Sequence, residues 1–289
     1  MKEYPFQMLG YRNVFKNHFI PSSNPCVSLG DVEYEILPDK RALLVGMKRV
    51  LNGQELTDYG PLTFTSDILT IHQTLKKDFG VVLVQYDYIR EDSSAYQLLK
   101  SASITSPIQQ GVSPFIPLPS TWDAYLDLLE RTDRKELKRK LRRLDTVPHA
   151  VDFHDPSDND EVFTDFVRLH KLSDPAKDIF MTPPMEQFFN DVYHLTIPGW
   201  RQRIATLKIE ENVAATVFFF ENDDSVLLYN SGFDPLQKYY SAGLLLVAYL
   251  IQHSIQEKKK TFDFLRGDER YKYDLGGRDC RLFQFTFSS

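Results

Sequence analysis

Apolar and polar residues alternate with two different periods along the chain, and the change of period separates predicted helices from predicted strands. In the first part, residues 41–50 and 81–88 are apolar runs typical of buried strands. Residues 66–78 carry apolar positions at helical spacing, with Ser66 as the expected N-cap and Gly80 as the end. A helix near residues 94–101 and a strand within residues 104–116 complete a βαβ-like order of elements.

A proline-rich segment, residues 114–122, interrupts these patterns and marks a domain boundary. Pro114, Pro117 and Pro119 disfavour both helix and internal strand pairing. Ser120, with Asp123 three residues later, predicts the start of the next helix. We therefore divide the chain into an N-terminal domain of residues 1–118 and a C-terminal domain of residues 119–289.

The second domain begins with helical patterns and then changes to strand patterns. Three segments rich in β-branched and aromatic residues are separated by short polar turns, which predicts an antiparallel meander followed by one long apolar helix. The fold class is therefore α/β with a mixed sheet. The predicted helices are residues 131–143, 161–172, 185–195 and 242–256, and the predicted strands are residues 150–154, 202–209, 213–221, 225–231, 261–265 and 281–287.

Composition and charge exclude several classes of protein. The formal charge of −6 argues against bulk nucleic-acid binding, and two distant cysteines, Cys26 and Cys280, form neither a disulfide framework nor a metal motif. The N-terminus lacks the apolar run of a signal peptide, and the longest apolar stretch, residues 244–251, is far shorter than the ~20 residues of a membrane span. We expect a cytoplasmic protein without a transmembrane segment or a metal.

The turn before the long apolar helix has the chemistry of an anion site. Ser241, Ala242 and Gly243 are small, so a ligand can approach the backbone where the helix begins. The first N–H groups of a helix have no intrahelical acceptor, and the helix dipole adds positive potential, so this turn suits a pyrophosphate. Lys238 adds a cation. The same small residues are equally compatible with an ordinary strand-to-helix turn packed against its neighbours.

Two longer segments, YNSGFDPLQKYYSAGLLL from residue 229 and FDFLRGDERYKYDLGG from residue 262, carry a family resemblance. Together with the segment PLPSTWDAYLDLL before the basic helix, they resemble GNAT-superfamily acetyltransferases of the CelD-like branch, which is related to Fem-type peptidyltransferases. The resemblance extends from about residue 58 to residue 276. It implies a GNAT-type fold of two tandem GNAT-like units, the first degenerate and the second holding the cofactor site.

The resemblance implies direct transfer of an acyl group from acetyl-CoA or another acyl-CoA to an amine or hydroxyl, with a sugar or cell-envelope precursor as the candidate acceptor. The strand before the turn, residues 227–231, is the one that pairs with pantetheine and offers an N–H group to the thioester oxygen. The donor-site residues are then Leu228, Tyr229, Asn230, Lys238, Ser241, Ala242, Gly243 and Leu244.

Three residues are candidates for the chemistry. Lys272 matches the lysine of a Phe-Lys-x-x-x-Gly segment in Fem-type enzymes, which implies stabilisation of charge on the tetrahedral intermediate. Asp263 and Glu269 are alternative general bases, although Asp263 also suits a structural pair with Arg266. The candidate acceptor-pocket residues are Tyr239, Tyr240, His170 and Arg266.

Two other functions stay open at this stage. The basic helix of residues 131–143 holds eight Lys or Arg residues, which suits a Fem-like transferase that takes its donor from aminoacyl-tRNA, but equally suits a solvated helix face. A non-catalytic GNAT-fold binding protein is the third possibility, because Ser241 replaces the usual glycine and no single general base stands out. The sequence does not identify the acceptor, because acceptor pockets lack a transferable signature.

Overall fold

The protein is described by a computed structural model that covers residues 3–47, 55–156 and 161–288. Its residues group into two compact units. The first comprises Met1–Ser113 and Cys280–Ser289, and the second comprises Pro114–Asp279. The last strand therefore belongs to the first unit, whereas the sequence analysis placed all of residues 119–289 in the second domain. Part of the predicted strand at residues 41–50 lies outside the described residues.

The first unit is a mixed sheet with helices. Strands β1 and β2 pair antiparallel, β2 and β3 pair antiparallel, β3 and β4 pair parallel, and β4 and β11 pair antiparallel. The elements are a 3-10 helix at Pro5–Gln7, then α1 Leu9–Phe19, β1 Cys26–Leu29, β2 Val32–Ile36, β3 Arg41–Leu44, α2 Ile68–Phe79, β4 Leu83–Arg90, α3 Ser94–Ala102, β5 Ile108–Pro117 and β11 Arg278–Ser288.

The second unit carries a mixed sheet in the order β5-β10-β9-β8-β7-β6, entered by β5 through residues 115–117. Strands β7 to β9 form the predicted antiparallel meander, β6 pairs antiparallel with β7, and β10 runs parallel to β9. The elements are α4 Trp122–Leu128, α5 Arg131–Leu144, β6 His149–His154, α6 Glu161–Ser173, α7 Pro175–Phe180, α8 Pro183–Tyr193, β7 Arg201–Ile209, β8 Asn212–Glu221, β9 Ser225–Phe233, a 3-10 helix at Pro235–Tyr240, α9 Ala242–Gln256, β10 Thr261–Asp263 and α10 Arg270–Asp274.

Two helix starts differ by one residue from the predicted caps. Asp67, not Ser66, accepts the N–H of Thr70 and caps α2. Thr121, not Ser120, accepts the N–H of Ala124 and caps α4. Two adjacent residues that can both cap a helix give almost the same sequence signal. The cap in the structure is the one with an extended backbone directly before the first helical turn.

Helices cover both faces of the sheet of the second unit. Helix α9 is nearly buried throughout and packs on β8 and β9, in a core with Leu245, Val217 and Phe262. Helix α6 packs on the opposite face of the same strands, where Phe166 and Phe218 contact each other edge to face. The two faces are therefore chemically distinct, and a ligand at the sheet meets different side chains on each.

The predicted fold class, a mixed α/β fold, is confirmed in both units. Each unit also contains the same topological pattern: an antiparallel meander, a helix, a strand parallel to the last meander strand, and then an antiparallel neighbour. The tandem GNAT origin of the first unit stays a prediction. Among the residues that the structure describes, no helix has the length and apolar character needed to cross a membrane.

Candidate functional site

The site is built where β9 and β10 separate. β10 pairs with β9 only from Ser225 to Leu227, whereas β9 continues beside β8 as far as Phe233. In the described part of the chain, no strand pairs with this edge of β9 beyond Leu227. An unpaired strand edge presents N–H and C=O groups that can bind an extended ligand.

A β-bulge at Tyr229 sets which side chains surround this edge. Phe219 lies opposite Leu228 and Phe218 lies opposite Asn230, so Tyr229 is the extra residue. The bulge places two consecutive side chains, those of Tyr229 and Asn230, on the α6 face of the sheet. The Tyr229 ring packs against aromatic rings on that face, namely Phe189, Phe218 and Phe220. Any contribution of Tyr229 to a ligand at the edge therefore comes from its backbone.

Beyond the bulge, Ser231 and Phe233 face the opposite side and line a pocket of about 310 Å³. Gly243 lies so close that a Cβ atom there would sit 3.0 Å from the Phe233 ring. The pocket reaches from the open edge of β9 to the start of α9. Its lining residues are Lys140, Ser231, Phe233, Lys238, Ser241, Ala242, Gly243, Leu244, Val247 and Tyr271.

Helix α9 begins in this pocket without a side-chain cap. Ser241 is the N-cap residue, but its backbone is left-handed (φ 57°) and its hydroxyl caps no N–H group. The hydroxyl instead accepts a hydrogen bond from the Lys140 Nζ at 3.2 Å. The first N–H groups of α9 thus keep their donor capacity and point into a pocket with two lysines, Lys140 and Lys238. This arrangement can bind a polyanion.

The second cation of this pocket, Lys140, comes from the basic helix α5. It lies 101 residues before Ser241, and its side chain is only 20% exposed. Next to it, the Arg143 guanidinium lies over the Tyr239 ring, 4.7 Å from the ring centre. Tyr239 is 63% exposed, so the Arg143–Tyr239 pair offers a flat surface at the pocket rim. Tyr240 packs against the core of α9 instead.

His170 lies on the other face, beneath β9, and is 1% exposed. Its side chain hydrogen-bonds Asn230, and Asn230 Oδ1 in turn accepts the Ser231 N–H at 2.8 Å. Burial and, to a smaller extent, the nearby Lys177 ammonium together lower the pKa of His170 to about 3. His170 is therefore neutral at physiological pH, and it orients Asn230 rather than facing an acceptor directly.

This burial predicts a pH-dependent stability. The pKa of His170 is about 3 in the folded protein, below the usual value of about 6.5, so the unfolded state binds more protons. The contribution of neutral His170 to the free energy of unfolding is complete above pH 6.5 and is lost as the pH falls toward 3. We expect His170→Gln to lack this contribution. The free energy of unfolding of the wild type, relative to the variant, should fall by about 1–2 kcal/mol between pH 7 and pH 5.

Urea unfolding at several pH values measures this difference. His194, an exposed histidine whose Nδ1 lies 2.9 Å from the Asn190 carbonyl oxygen, offers the matched control His194→Gln. If the difference in free energy of unfolding between the wild type and His170→Gln stays constant with pH, His170 has the same pKa in the folded and unfolded states.

Lys272 is buried, 3% exposed, and its ammonium is surrounded by oxygen atoms. Nζ donates to the carbonyls of Leu265 (3.2 Å), Arg266 (2.8 Å) and Gly267 (3.2 Å), and it pairs with Glu269 Oε2 at 2.9 Å. The ammonium thus holds the turn after β10 together. Its predicted role on the tetrahedral intermediate stays a prediction, although its donors are occupied here.

The two candidate bases differ in environment. Asp263 is 2% exposed and lies between two core residues, Phe262 and Phe264, so its carboxylate faces the α6 side of β10. Asp263 Oδ1 accepts the Leu265 N–H at 2.8 Å. The Glu269 side chain is 59% exposed at the turn and is the more accessible carboxylate. Arg266 is half-buried in the same turn.

The sequence analysis missed two lysines that the fold brings to the site: Lys140, which contacts Ser241, and Lys177, which contacts β9. Lys177, in the short helix α7, donates from Nζ to the Ser231 carbonyl at 2.6 Å. Of the predicted donor-site residues, Lys238, Ser241, Ala242, Gly243 and Leu244 line the pocket. The Leu228 side chain lies in the core. No sequence spacing links either lysine to the serine that it contacts, because both contacts form only in the tertiary structure.

No metal site accompanies this pocket within the described ranges: they contain no group of three or more His, Cys, Asp or Glu side chains that could hold a metal ion. The polar groups of the site are lysines, carboxylates, one histidine and backbone N–H groups.

Solved structures share this fold at low sequence identity. FemX matches with a TM-score of 0.66 and 11% identity, covering 98% of this chain and 92% of that one. L-PGS from Bacillus licheniformis matches with a TM-score of 0.59 and 10% identity, covering 96% of this chain and 90% of that one. At these identities the likeness concerns the fold alone. No curated protein is significantly similar in sequence.

A family model described as an acetyltransferase (GNAT) domain matches residues 131–273. The match contains α5, the meander, the turn at Ser241, α9 and the Lys272 turn, which together form the pocket and the open edge of β9. Residues 131–273 are therefore a GNAT domain, as the sequence resemblance predicted.

Proposed function

We propose that this protein is an acyl-CoA-dependent N- or O-acyltransferase, with acetyl-CoA or another acyl-CoA as donor and a small amine or hydroxyl compound as acceptor. The observation that carries the proposal is the continuous path from the uncapped start of α9, through the pocket, to the open edge of β9. Acyl-CoA has the same three parts in the same order: a pyrophosphate, an extended pantetheine with amide groups, and a thioester.

Each part of the donor has matching chemistry on the protein. The N–H groups of Ala242, Gly243 and Leu244, with the Lys140 and Lys238 ammonium groups, suit the pyrophosphate. The edge of β9 beyond Leu227 suits the pantetheine amides, since an extended chain can add to it as a further strand. In this pose the thioester lies beside the open edge of β9, between the bulge at Tyr229 and Ser231.

The acceptor would enter from the α6 face. Attack by its nitrogen or oxygen on the thioester carbonyl needs a group that takes the proton. Glu269 is the better placed carboxylate, because it is exposed at the turn whereas Asp263 is buried and bonded to the Leu265 N–H. Glu269 Oε2 pairs with the Lys272 ammonium at 2.9 Å, and this contact holds the carboxylate at the turn. An acceptor linked to a sugar or an envelope precursor stays the proposed class.

Thermal melting with and without acetyl-CoA and longer acyl-CoAs tests the donor. A ligand at 100 times its Kd should raise the free energy of unfolding by about 2.7 kcal/mol, which is a shift of several degrees. Gly243→Glu should abolish the shift, because the new side chain presses on Phe233 and puts a carboxylate beside the pyrophosphate position. A shift retained in Gly243→Glu would exclude this pocket as the donor site, and no shift with any acyl-CoA would exclude the proposed donor.

A prediction for Lys140 follows from its place in the pocket. Lys140→Met should weaken CoA binding about tenfold, because one charge-assisted contact to phosphate is lost, and should leave pantetheine binding unchanged. Isothermal titration with CoA and with pantetheine measures both. Lys138→Met, an exposed lysine of the same helix, is the matched control. Equal loss of affinity for both ligands would contradict a phosphate contact.

A second candidate donor is favoured by the outer side of α5, where Arg131, Lys135, Lys138 and Arg142 are exposed. Such a basic stripe suits a donor carried on nucleic acid, as in an aminoacyl-tRNA-dependent transferase. That function predicts tRNA binding that weakens steeply with salt. Absence of tRNA binding at low ionic strength would exclude it.

A further inference from the structure

The backbone N–H and C=O of Ser231 are hydrogen-bonded to two side chains and not to β8. Its N–H donates to Asn230 Oδ1 at 2.8 Å, and its carbonyl accepts from the Lys177 Nζ at 2.6 Å. Both groups therefore face the open edge of β9, because the N–H and C=O of one strand residue point to the same side. Ser231 also lines the pocket with its side chain. The Lys177 ammonium thus lies on the strand edge that borders the pocket.

Lys177 keeps donor capacity at this position. An ammonium has three N–H donors, and among the described residues Lys177 makes one hydrogen bond, to Ser231. The side chain is half-buried. Burial lowers the pKa of Lys177, whereas attraction to Asp174 and Glu269 opposes that effect. Lys272 differs sharply, because four oxygen atoms already surround its ammonium.

A donor laid along β9 must meet this ammonium. Hydrogen-bonded atoms are about 3 Å apart, so a chain that pairs with the edge at Ser231 lies within a few ångströms of Lys177 Nζ or takes its place on the carbonyl. In either case at least two N–H donors of Lys177 stay available beside the edge. In the proposed donor pose that space holds the reacting carbonyl.

We propose that Lys177 is a catalytic residue of the acyl transfer, whose ammonium hydrogen-bonds the oxyanion formed on the thioester carbonyl. The inference rests on the proposed function. The nucleophile forms a bond to the carbonyl carbon, and the C=O electron pair moves to the oxygen, where Lys177 stabilises it. Collapse restores the C=O bond and breaks the C–S bond. The thiolate of CoA receives the proton that the nucleophile releases, so no oxidant or reductant is needed.

Two CoA thioethers test this role without a known acceptor. S-carboxymethyl-CoA carries a carboxylate at the acyl position, which stands in for the oxyanion, and S-carbamoylmethyl-CoA is its neutral isostere. The wild type should bind the carboxylate at least about tenfold more tightly than the amide, as measured by isothermal titration. Lys177→Met should remove this preference while it still binds the amide. Lys177→Arg should retain most of the preference.

The control and a second variant separate the possible outcomes. Lys171→Met, a half-buried lysine of α6 that pairs with Glu186, should keep the wild-type preference. Lys177→Gln replaces Lys177→Met if melting shows that the methionine variant is unfolded. A wild type without the preference, or a preference that survives in Lys177→Met or Lys177→Gln, overturns the role of Lys177 and leaves the proposed donor standing. A wild type that binds neither thioether removes the proposed donor and this inference with it.

Discussion

Replacing Lys272 by methionine is expected to lower the free energy of unfolding by about 3 kcal/mol, with a fall of roughly 10 °C in melting temperature. Methionine nearly matches the length of lysine but donates no hydrogen bond. The carbonyls of Leu265, Arg266 and Gly267 would lose their shared donor in a position that is 3% exposed in the wild type. Buried acceptors without partners are the main cause of the expected loss.

The ion pair with Glu269 adds little to this figure. The Glu269 side chain is 59% exposed, so solvent screens its attraction to Lys272. The backbone of the turn adds to the dependence on Lys272. Leu265 has φ of 58° and Gly267 has φ of 114°, so the carbonyls converge on Nζ through left-handed conformations that the ammonium helps to hold.

Urea unfolding and thermal melting of Lys272→Met, beside Lys138→Met, test this prediction. Lys138 is exposed, and its replacement should change the free energy of unfolding by less than about 0.5 kcal/mol. A Lys272→Met protein as stable as the wild type would mean that water replaces the ammonium among the carbonyls. In that case the lysine would be retained for chemistry, as the sequence resemblance implies, and not for the turn.

Local signals were enough to predict much of the second unit. The long helix was expected at residues 242–256 and is found at Ala242–Gln256, because small residues start it and an apolar run continues it. The three meander strands follow from period-two patterns with polar turns between them. In both cases every cue lies within a few residues of the element that it predicts.

The first unit shows why other elements were missed. All five residues of β2, Val32–Ile36, are buried, although two of them are glutamates. Glu33 pairs with Lys16 at 2.7 Å, and Glu35 accepts a hydrogen bond from Asn24 at 2.6 Å. Such partners are set by the tertiary structure and are not visible in the sequence. From the sequence alone, the two glutamates therefore indicate surface positions.

The candidate site likewise contains residues that the sequence predicted and residues that only the fold brings together. The turn at Ser241 was recognisable because its small residues and Lys238 are adjacent in the sequence. Lys140 reaches Ser241 across 101 residues, Lys177 reaches Ser231 of β9 across 54 residues, and neither lysine stands in a recognisable motif. A lysine that contacts one backbone carbonyl in the fold looks like any surface lysine in the sequence.

Replacing Gly232 by alanine should destabilise the second unit by about 3 kcal/mol, because β9 and α6 touch at this residue. A Cβ atom on Gly232 would lie 2.2 Å from the His170 nitrogen and 2.4 Å from the Leu169 carbonyl carbon. Both are backbone atoms, so no rotamer change relieves the contact and α6 must move away from β9. That movement would also separate His170 from Asn230, and Asn230 holds the Ser231 N–H at the open edge.

Gly111→Ala is the matched control, since a Cβ atom there meets no atom within 4 Å. Urea unfolding measures the free energy of each variant, and native-state hydrogen exchange locates the loss. We expect faster exchange in α6 and in β9 of Gly232→Ala, because the helix no longer covers the strand closely. A Gly232→Ala protein within about 0.5 kcal/mol of Gly111→Ala would show that α6 can shift at little cost. The position of His170 under the open edge would then be set by packing around Phe166 rather than by the glycine.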